Sequence, residues 1–276
     1  MSLTRIAANI QAMNSLQSLK EVNKRMGVHQ TRLSTGRKIN SAADDPAGFA
    51  LARGLEARKR GLDVALQNVS NAKNILNVAE GGYQAQMDIL QTVKEKATQA
   101  ADHALSDAQR TAINDQVTAL LDEIDDIEEE TTFNDNALID GSYNGNFQTG
   151  EGSSDQISVE LASSNSASVG GNTNLSTIDL STAGGANTAI DTVSTAIDDL
   201  SSAIQDIGEY KVRLNSKETS LSTASTNTEA VRSSVEDADF AKEQMEVMKM
   251  QIMQQTALSS FSQANTSPQS VLSLFG

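Results

Sequence analysis

The feature that most constrains this chain is the length of its apolar repeats. From Leu62 to Leu90, hydrophobic residues recur every three or four positions without an intervening proline. This is the spacing of one face of an α-helix. A second repeat runs from Ile190 to Leu221 and is interrupted only at Lys211 and Glu218. Because repeats of this length are typical of coiled coils, the sequence predicts long paired helices.

The composition favours the same architecture and argues against an enzyme. Only 3% of the residues are aromatic, and the chain has no Cys and no Trp. A compact core normally draws much of its buried area from aromatic side chains, so burial must be spread along helices. His29 and His103 are isolated, and the acidic run of residues 122–130 lacks the spacing of an EF-hand. We therefore expect no catalytic site, no metal and no cofactor.

The charge is unevenly distributed along the chain. Residues 1–62 carry 11 Lys and Arg against 4 Asp and Glu, whereas residues 111–210 carry 19 Asp and Glu and no Lys or Arg. The basic segment lacks the interleaved aromatics of nucleic-acid sites, and the net charge of −15 repels phosphate. Neither a long apolar run nor a cleavable signal is found. No nucleic-acid partner and no membrane insertion are expected.

Local signals divide the chain into helical ends and a non-helical middle. The apolar spacing from Leu3 to Leu19 predicts a first helix, which is interrupted within residues 34–48. Asp45 and Pro46 predict the start of a second helix that reaches about residue 100. Ser106 and Gln109 form a capping-box pattern that opens a third helix.

In the middle, the Asn144-Gly145 pair predicts the turn of a hairpin within residues 142–162. Residues 163–188 are polar and predict a solvent-facing loop.

The last helix is predicted from about Val235 to Ser262, with Pro268 ending regular helix. The expected fold is mainly α, with long antiparallel helices forming a coiled coil and a helical bundle, and a small β-hairpin region in the middle.

The terminal helices are too apolar to be solvated alone and need partners, either within the chain or from other copies. Four of the eight Met fall within residues 245–253; they suit a surface that repacks against several neighbours, or ordinary gap-filling in a core. The residues predicted to form an inner coiled coil for assembly are Leu3, Ile6, Ile10, Met13, Met245, Met248, Ile252, Leu258, Phe261, Leu272 and Leu274.

Three stretches resemble bacterial flagellin: RLSTGRKINSAADDPAGFALA (Arg32 to Ala52), TTFNDNALIDG (Thr131 to Gly141) and QANTSPQSVLSLFG (Gln263 to Gly276). The resemblance spans nearly the whole chain and implies a short flagellin without large variable outer domains. It implies an inner coiled coil from residues 1–44 and 237–276. The outer domain would comprise helical residues 45–141, a hairpin and loop at 142–188, and a helix at 189–236.

The resemblance also implies a function. The chain would polymerise into the flagellar filament, the helical propeller for swimming. The alternative is a hook-filament junction protein of the same superfamily, which shares the terminal helices; the full SAADDPAG signature favours the filament subunit. Flagellins are exported through the flagellar type III apparatus and lie outside the cell. The implied partners are further copies, an export chaperone, and the filament cap and hook-associated proteins.

Two modification or recognition features complete the expectations. The family's segment for Toll-like receptor 5, LQRxRELxxQ, corresponds to residues 90–99, where Thr92 and Lys96 replace an Arg and the Leu, next to Lys94 and Glu95. Gln116 stands where the adjoining helix carries a Glu, so this resemblance implies weak receptor activation. Candidate O-glycosylation residues in the polar loop region are Ser153, Ser163, Ser166, Thr173 and Ser176.

Overall fold

The computed structural model describes residues 9–272, with side chains described for residues 9–266. The helices are α1 (Ile10–Thr35), α2 (Pro46–Ala100), α3 (Asp107–Glu130), α4 (Ala183–Glu236) and α5 (Phe240–Leu272). Two short antiparallel strand pairs lie between α3 and α4: β1 (Thr132–Phe133) with β2 (Asn136–Ala137), and β3 (Asn144–Gln148) with β4 (Gln156–Glu160). The mainly α fold with a small β region is confirmed.

The predicted starts of α2 and α3 are confirmed by their capping contacts. Asp45 Oδ1 accepts hydrogen bonds from the backbone N–H groups of Ala47 (3.1 Å) and Gly48 (3.0 Å), and α2 begins at Pro46. Ser106 and Gln109 form the capping box of α3. These contacts satisfy backbone donors that have no partner inside the first turn of a helix.

The backbone carbonyls at the end of α2 accept hydrogen bonds from Arg110, a residue that the sequence analysis does not single out. The Arg110 guanidinium donates hydrogen bonds to the carbonyls of Ala100 (2.9 Å), Leu105 (2.8 Å) and Asp102 (2.6 Å). Its side chain is buried. One buried cation therefore closes the connection between α2 and α3 by satisfying three backbone acceptors.

The hairpin within residues 142–162 is confirmed, but its predicted turn is wrong. Asn144 and Gly145 lie in β3 and pair with Glu160 and Val159, so the turn falls at residues 149–155. A Cβ on Gly145 would come within 2.7 Å of the Tyr143 hydroxyl, so the glycine makes room for that ring. The sequence analysis also missed the β1–β2 hairpin, whose turn residues Asn134 and Asp135 have positive φ angles.

The polar segment before α4 is not the solvent-facing loop that its composition predicts. Val169, Leu175 and Leu180 are buried. Asp125 of α3 accepts hydrogen bonds from the backbone N–H (2.6 Å) and the hydroxyl (2.7 Å) of Ser166. The α4 helix begins at Ala183, before the predicted start at residue 189. The segment is held against the helices by buried apolar side chains and carboxylate contacts.

The described chain divides into two compact units. Of the described residues, unit 1 contains 9–57 and 227–272, and unit 2 contains 58–226. These units divide inside α2 and α4, whereas the predicted domain boundaries at 44/45 and 236/237 lie at the breaks between helices. The main hydrophobic core extends from Leu62 to Leu221 and so lies wholly in unit 2.

Candidate assembly site

The site that draws on both ends of the described chain is the helix pair in unit 1. α1 contacts α5. The described apolar residues that this helix pair buries are few: Ala12, Val22, Val247, Met250 and Ala264. The Gln254 side-chain amide donates a 2.7 Å hydrogen bond to Asn23 Oδ1. The predicted pairing of the first and last helices is confirmed.

A carboxylate is nearly enclosed in this helix pair. Glu243 of α5 is buried, with 7% of the residue exposed. Its Oε2 lies 2.5 Å from His29 Nδ1, and its Oε1 lies 3.5 Å from Arg32 Nη1, both on α1. Because a buried carboxylate is unfavourable without partners, these two contacts fix how α1 and α5 align.

At the other end of the helix pair, the predicted helix end at Pro268 is wrong. The helix does not end there but continues to Leu272. A proline nitrogen carries no hydrogen, so the carbonyl four residues earlier, on Ala264, loses its usual helical partner. Asn9 Nδ2 donates a 2.8 Å hydrogen bond to that carbonyl, while Asn9 Oδ1 caps α1 by accepting from Ala12 N. One asparagine thus serves both terminal helices.

The α1–α2 connection pairs with the α4–α5 connection, within unit 1. Arg37 Nη1 lies 2.8 Å from a carboxylate oxygen of Glu236, and the backbone N–H of Lys38 donates to the Glu236 carbonyl at 2.7 Å. Arg232 also binds Glu236, at 2.6 Å. The backbone N–H of Ala238 donates to the Gly36 carbonyl at 2.9 Å. These contacts explain why the last helix starts at Phe240, after a break, and not at the predicted Val235.

The SAADDPAG stretch shapes this connection. Backbone N–H groups of Ser41 and Asn40 bind the Asp44 carboxylate and hold its pKa below the usual value. The next residue, Asp45, caps α2. A Cβ on Gly48 would lie 2.5 Å from the Asp45 carboxylate and 2.6 Å from Ile39 Cδ1. The motif therefore encodes a tight connection between two helices.

Most of the described residues predicted for assembly face away from the α1–α5 contact. Met13 and Ile252 are each 66% exposed. The other exposed members are Ile10, Met245, Met248 and Leu258, while Phe261 is half-buried. The exposed members are not among the buried residues of α1 and α5, whereas Phe261 lies in the same three-four series as Val247, Met250 and Ala264. Leu3, Ile6 and Leu274 lie outside the described residues, as does the side chain of Leu272.

The receptor-segment residues lie on α2 and α3 in unit 2. Thr92, Lys94 and Lys96 are half-buried, whereas Glu95 and Gln116 are exposed. Leu90 at the start of the segment is fully buried, together with Val93 and Ala97. The segment thus presents one face to the core and the other to solvent.

The candidate glycosylation residues differ in accessibility. Ser153 and Ser176 are exposed and Ser163 is half-buried. Ser166 and Thr173 are buried, so the expectation that they face solvent is wrong. Their hydroxyls donate to Asp125 (2.7 Å) and Asp199 (2.6 Å), respectively.

Within residues 9–272, no group of three or more His, Asp or Glu side chains is placed to hold a metal ion. In the same part of the chain, no helix combines the length and hydropathy needed to cross a membrane.

Comparisons with known proteins decide the family. The model of the bacterial flagellin N-terminal helical region matches residues 6–144, and the model of the C-terminal helical region matches residues 190–275. The chain belongs to the bacterial flagellin family. Its relatives include a flagellin of Halalkalibacterium halodurans, 31% identical over 96% of this chain and 97% of the relative. A Bacillus subtilis flagellin is 32% identical over 98% of this chain and 99% of the relative.

A solved structure described as a flagellar hook-associated protein from Vibrio parahaemolyticus has a similar fold. Its TM-score is 0.60, with 13% identity over 70% of this chain and 100% of that one. At this identity the likeness concerns the fold alone. The flagellin relatives match nearly the full chain, so the protein is a structural subunit of the flagellar filament, and the hook-filament junction alternative is not favoured.

Proposed function

We propose that this flagellin polymerises through the exposed apolar faces of α1 and α5. The observation that carries the proposal is the number of large apolar side chains on α5 that the chain itself does not cover: Phe240, Met245, Met248, Ile252, Met253 and Leu258. α1 adds Ile10, Met13, Leu16 and Val28. Large apolar side chains that are exposed in this number mark an interaction site, because contact with further copies removes them from water.

Ile252→Glu tests this surface. The substitution places a charge where a neighbouring copy would exclude water, and an unpaired buried charge is strongly unfavourable. We expect purified monomer to keep its circular-dichroism spectrum but to fail to elongate filament seeds. Gln251→Glu is the matched control, since it adds the same charge at an adjacent exposed position of α5. Normal elongation by Ile252→Glu, or equal loss in the control, would refute the proposal.

Export and location are proposed on the grounds of membership in the flagellin family. The subunit leaves the cell unfolded through the flagellar type III apparatus and assembles outside it. An export chaperone covers the apolar face of the C-terminal helix before export, and the cap and hook-associated proteins contact the filament at its ends. The exposed Met-rich face of α5 supports a chaperone contact, because Met side chains adapt to different partners.

Toll-like receptor 5 is proposed to be a weak partner of this flagellin. Thr92, Lys96 and Gln116 are each accessible in part or in full. Thr92 and Lys96 replace an Arg and a Leu of the family's segment, and Gln116 replaces a Glu of the adjoining helix. Such a change removes a guanidinium and an apolar contact, two anchors that dominate interfaces. We expect the triple variant Thr92→Arg, Lys96→Leu, Gln116→Glu to activate reporter cells at least about tenfold more potently than the natural chain.

Receptor-negative cells provide the control for contaminants. Equal potency of the natural chain and a flagellin with the full motif would contradict the proposal.

O-glycosylation is proposed for Ser153 and Ser176, the exposed candidates of the middle region. A native filament protein whose intact mass equals the unmodified 29.3 kDa would rule it out.

A further inference from the structure

The contact between α2 and α4 in unit 2 has an almost periodic apolar seam. On each helix, a large buried residue and a buried alanine alternate, and each kind recurs every seven residues. On α2 these residues are Leu62, Val69, Leu76, Tyr83 and Leu90, with Ala65, Ala72 and Ala79. On α4 they are Val193, Leu200, Ile207, Leu214 and Leu221, with Ala189, Ala196 and Ala203. Within each run, sliding one helix by seven residues places alanine where alanine was, so apolar packing there discriminates weakly between neighbouring registers. The next positions of the two alanine runs are occupied by Gln86 and Tyr210.

Charged residues interrupt this seam at matching points on both helices. Lys73 Nζ lies 2.8 Å from Glu218 Oε2, and Lys211 binds Glu80 in the same way. The order of the charges is Lys then Glu along each helix, and the antiparallel arrangement brings opposite charges together. We call these two contacts, Lys73–Glu218 and Glu80–Lys211, the seam pairs. All four side chains are partly shielded from solvent.

A slip of seven residues in either direction turns attraction into repulsion. In one direction Lys73 comes opposite Lys211; in the other direction Glu80 comes opposite Glu218. Like charges at facing positions are unfavourable. Each slip also leaves two charges without a partner: in the first direction Glu80 faces Ile204 and Glu218 faces Leu66, and in the second Lys211 faces Met87 and Lys73 faces Ser225. The same four residues thus favour one register and disfavour both of its neighbours.

Two other buried polar side chains of α2 bind parts of unit 2 outside α4. The Tyr83 hydroxyl donates to the Ala162 carbonyl (2.6 Å), and the Gln86 amide donates to the Ile124 carbonyl of α3 (3.0 Å). A third contact between α2 and α4 is the hydrogen bond from Ser225 to Asp63, at 2.8 Å. The two seam pairs and this hydrogen bond are therefore the polar side-chain contacts that distinguish one α2–α4 register from the next, and the seam pairs are the two in which both partners are charged.

We infer that the seam pairs select the register in which α2 and α4 associate. Polar or charged residues at seam positions are known to specify register in coiled coils. This inference concerns the folding of unit 2 and goes beyond polymerisation. A chain with a wrong α2–α4 register would bury a similar apolar seam but would misplace the segments joined to it.

Charge exchange within one helix provides the test, because it leaves composition and net charge unchanged. Lys73→Glu with Glu80→Lys makes both native contacts repulsive and gives each slipped register one attractive pair. Lys211→Glu with Glu218→Lys does the same from α4. The four changes together restore attraction in the native register. The full-length monomer carries spin labels at Val64→Cys and Val212→Cys, which are exposed positions in a chain without natural cysteine.

The distance between the labels after refolding is measured by pulsed electron paramagnetic resonance. A seven-residue slip moves one helix by about 10 Å along the other. We expect one distance in the natural sequence and in the fourfold variant. Each single-helix exchange should give an additional distance displaced by about 10 Å, or should fail to fold while the fourfold variant folds. The native distance alone in a single-helix exchange, or no recovery in the fourfold variant, would overturn the inference. Filament formation is not part of this measurement, so its outcome is independent of the proposed assembly surface.

Discussion

Two adjacent glycines in the interior of α2 have opposite surroundings. A Cβ on Gly82 would lie 2.7 Å from Thr131 Oγ1 and 3.1 Å from Ile139 Cδ1, whereas a Cβ on Gly81 would meet nothing within 4 Å. Thr131 cannot easily move, because its hydroxyl donates a 2.6 Å hydrogen bond to the Ile127 carbonyl. Gly82 therefore permits the close approach of the segment that follows α3, whereas Gly81 has no such role.

The two alanine substitutions at these positions should change stability in opposite directions. Gly81→Ala should raise the free energy of unfolding by up to about 1 kcal/mol, since alanine is the better helix former. Gly82→Ala should lower it by about 1–3 kcal/mol, because the added methyl overpacks the site. Urea denaturation followed by circular dichroism measures both. Stabilisation by both substitutions would show that the segment around Thr131 yields without strain.

At the scale of a single element, α3 has a strongly acidic C-terminal half. Burial raises the pKa of Glu128, and the neighbouring carboxylates of Asp140, Asp125 and Glu129 add to the rise. The ionised form of Glu128 is thus less favourable in the folded chain than in the unfolded chain. For an acid with a raised pKa, the associated stability is present at low pH and is lost as pH rises through that pKa.

Glu128→Gln should therefore stabilise the protein at neutral pH. We expect a gain below about 1 kcal/mol, because the site is partly solvated, and we expect the gain to shrink as the pH falls below the ordinary pKa of glutamate. Denaturation midpoints of variant and natural chain at a series of pH values measure the difference. Glu123→Gln, at an exposed position of α3, controls for the loss of one negative charge. An equal gain in the control at every pH would refute the assigned cause.

How far an element can be predicted depends on whether its determinants are local. The apolar period and the caps at Asp45 and Ser106 act within a few residues, so the helix starts there were predicted. Pro268 was misjudged because its compensation comes from Asn9, at the opposite end of the chain. The contacts of Glu243 with His29 and of Glu236 with Arg37 also join distant segments. No local spacing reveals such pairs.

The polar segment before α4 was misjudged for a related reason. Its composition is that of a loop, but its apolar residues Leu175 and Leu180 are buried. The carboxylates that bind its hydroxyls belong to α3 and α4. The acidic run of residues 122–130 thus contains Asp125, which binds and supports this packed segment.

At the scale of the whole molecule, the two units differ in how they are stabilised. The main core belongs to unit 2, where large apolar residues from α2, α3, α4 and the β region pack together. The helix pair of unit 1 buries only a few apolar side chains and leaves many large ones exposed. Because burial of apolar area is the main favourable term in folding, unit 2 should be stable without the terminal helices.

A chain limited to residues 45–236 tests this difference. It retains the whole of α2 and α4, the Asp45 cap and every residue of the main core. We expect it to unfold cooperatively. Its free energy of unfolding should lie within about 1 kcal/mol of that of unit 2 in the full monomer, because changes far from the core residues usually act independently of them. Thermal and urea denaturation followed by circular dichroism provide the measurement.

The same chain should not elongate filament seeds, because it lacks the apolar faces of α1 and α5. A truncated chain that is unfolded would mean that the core depends on the terminal helices, and one that elongates seeds would move the assembly surface into unit 2.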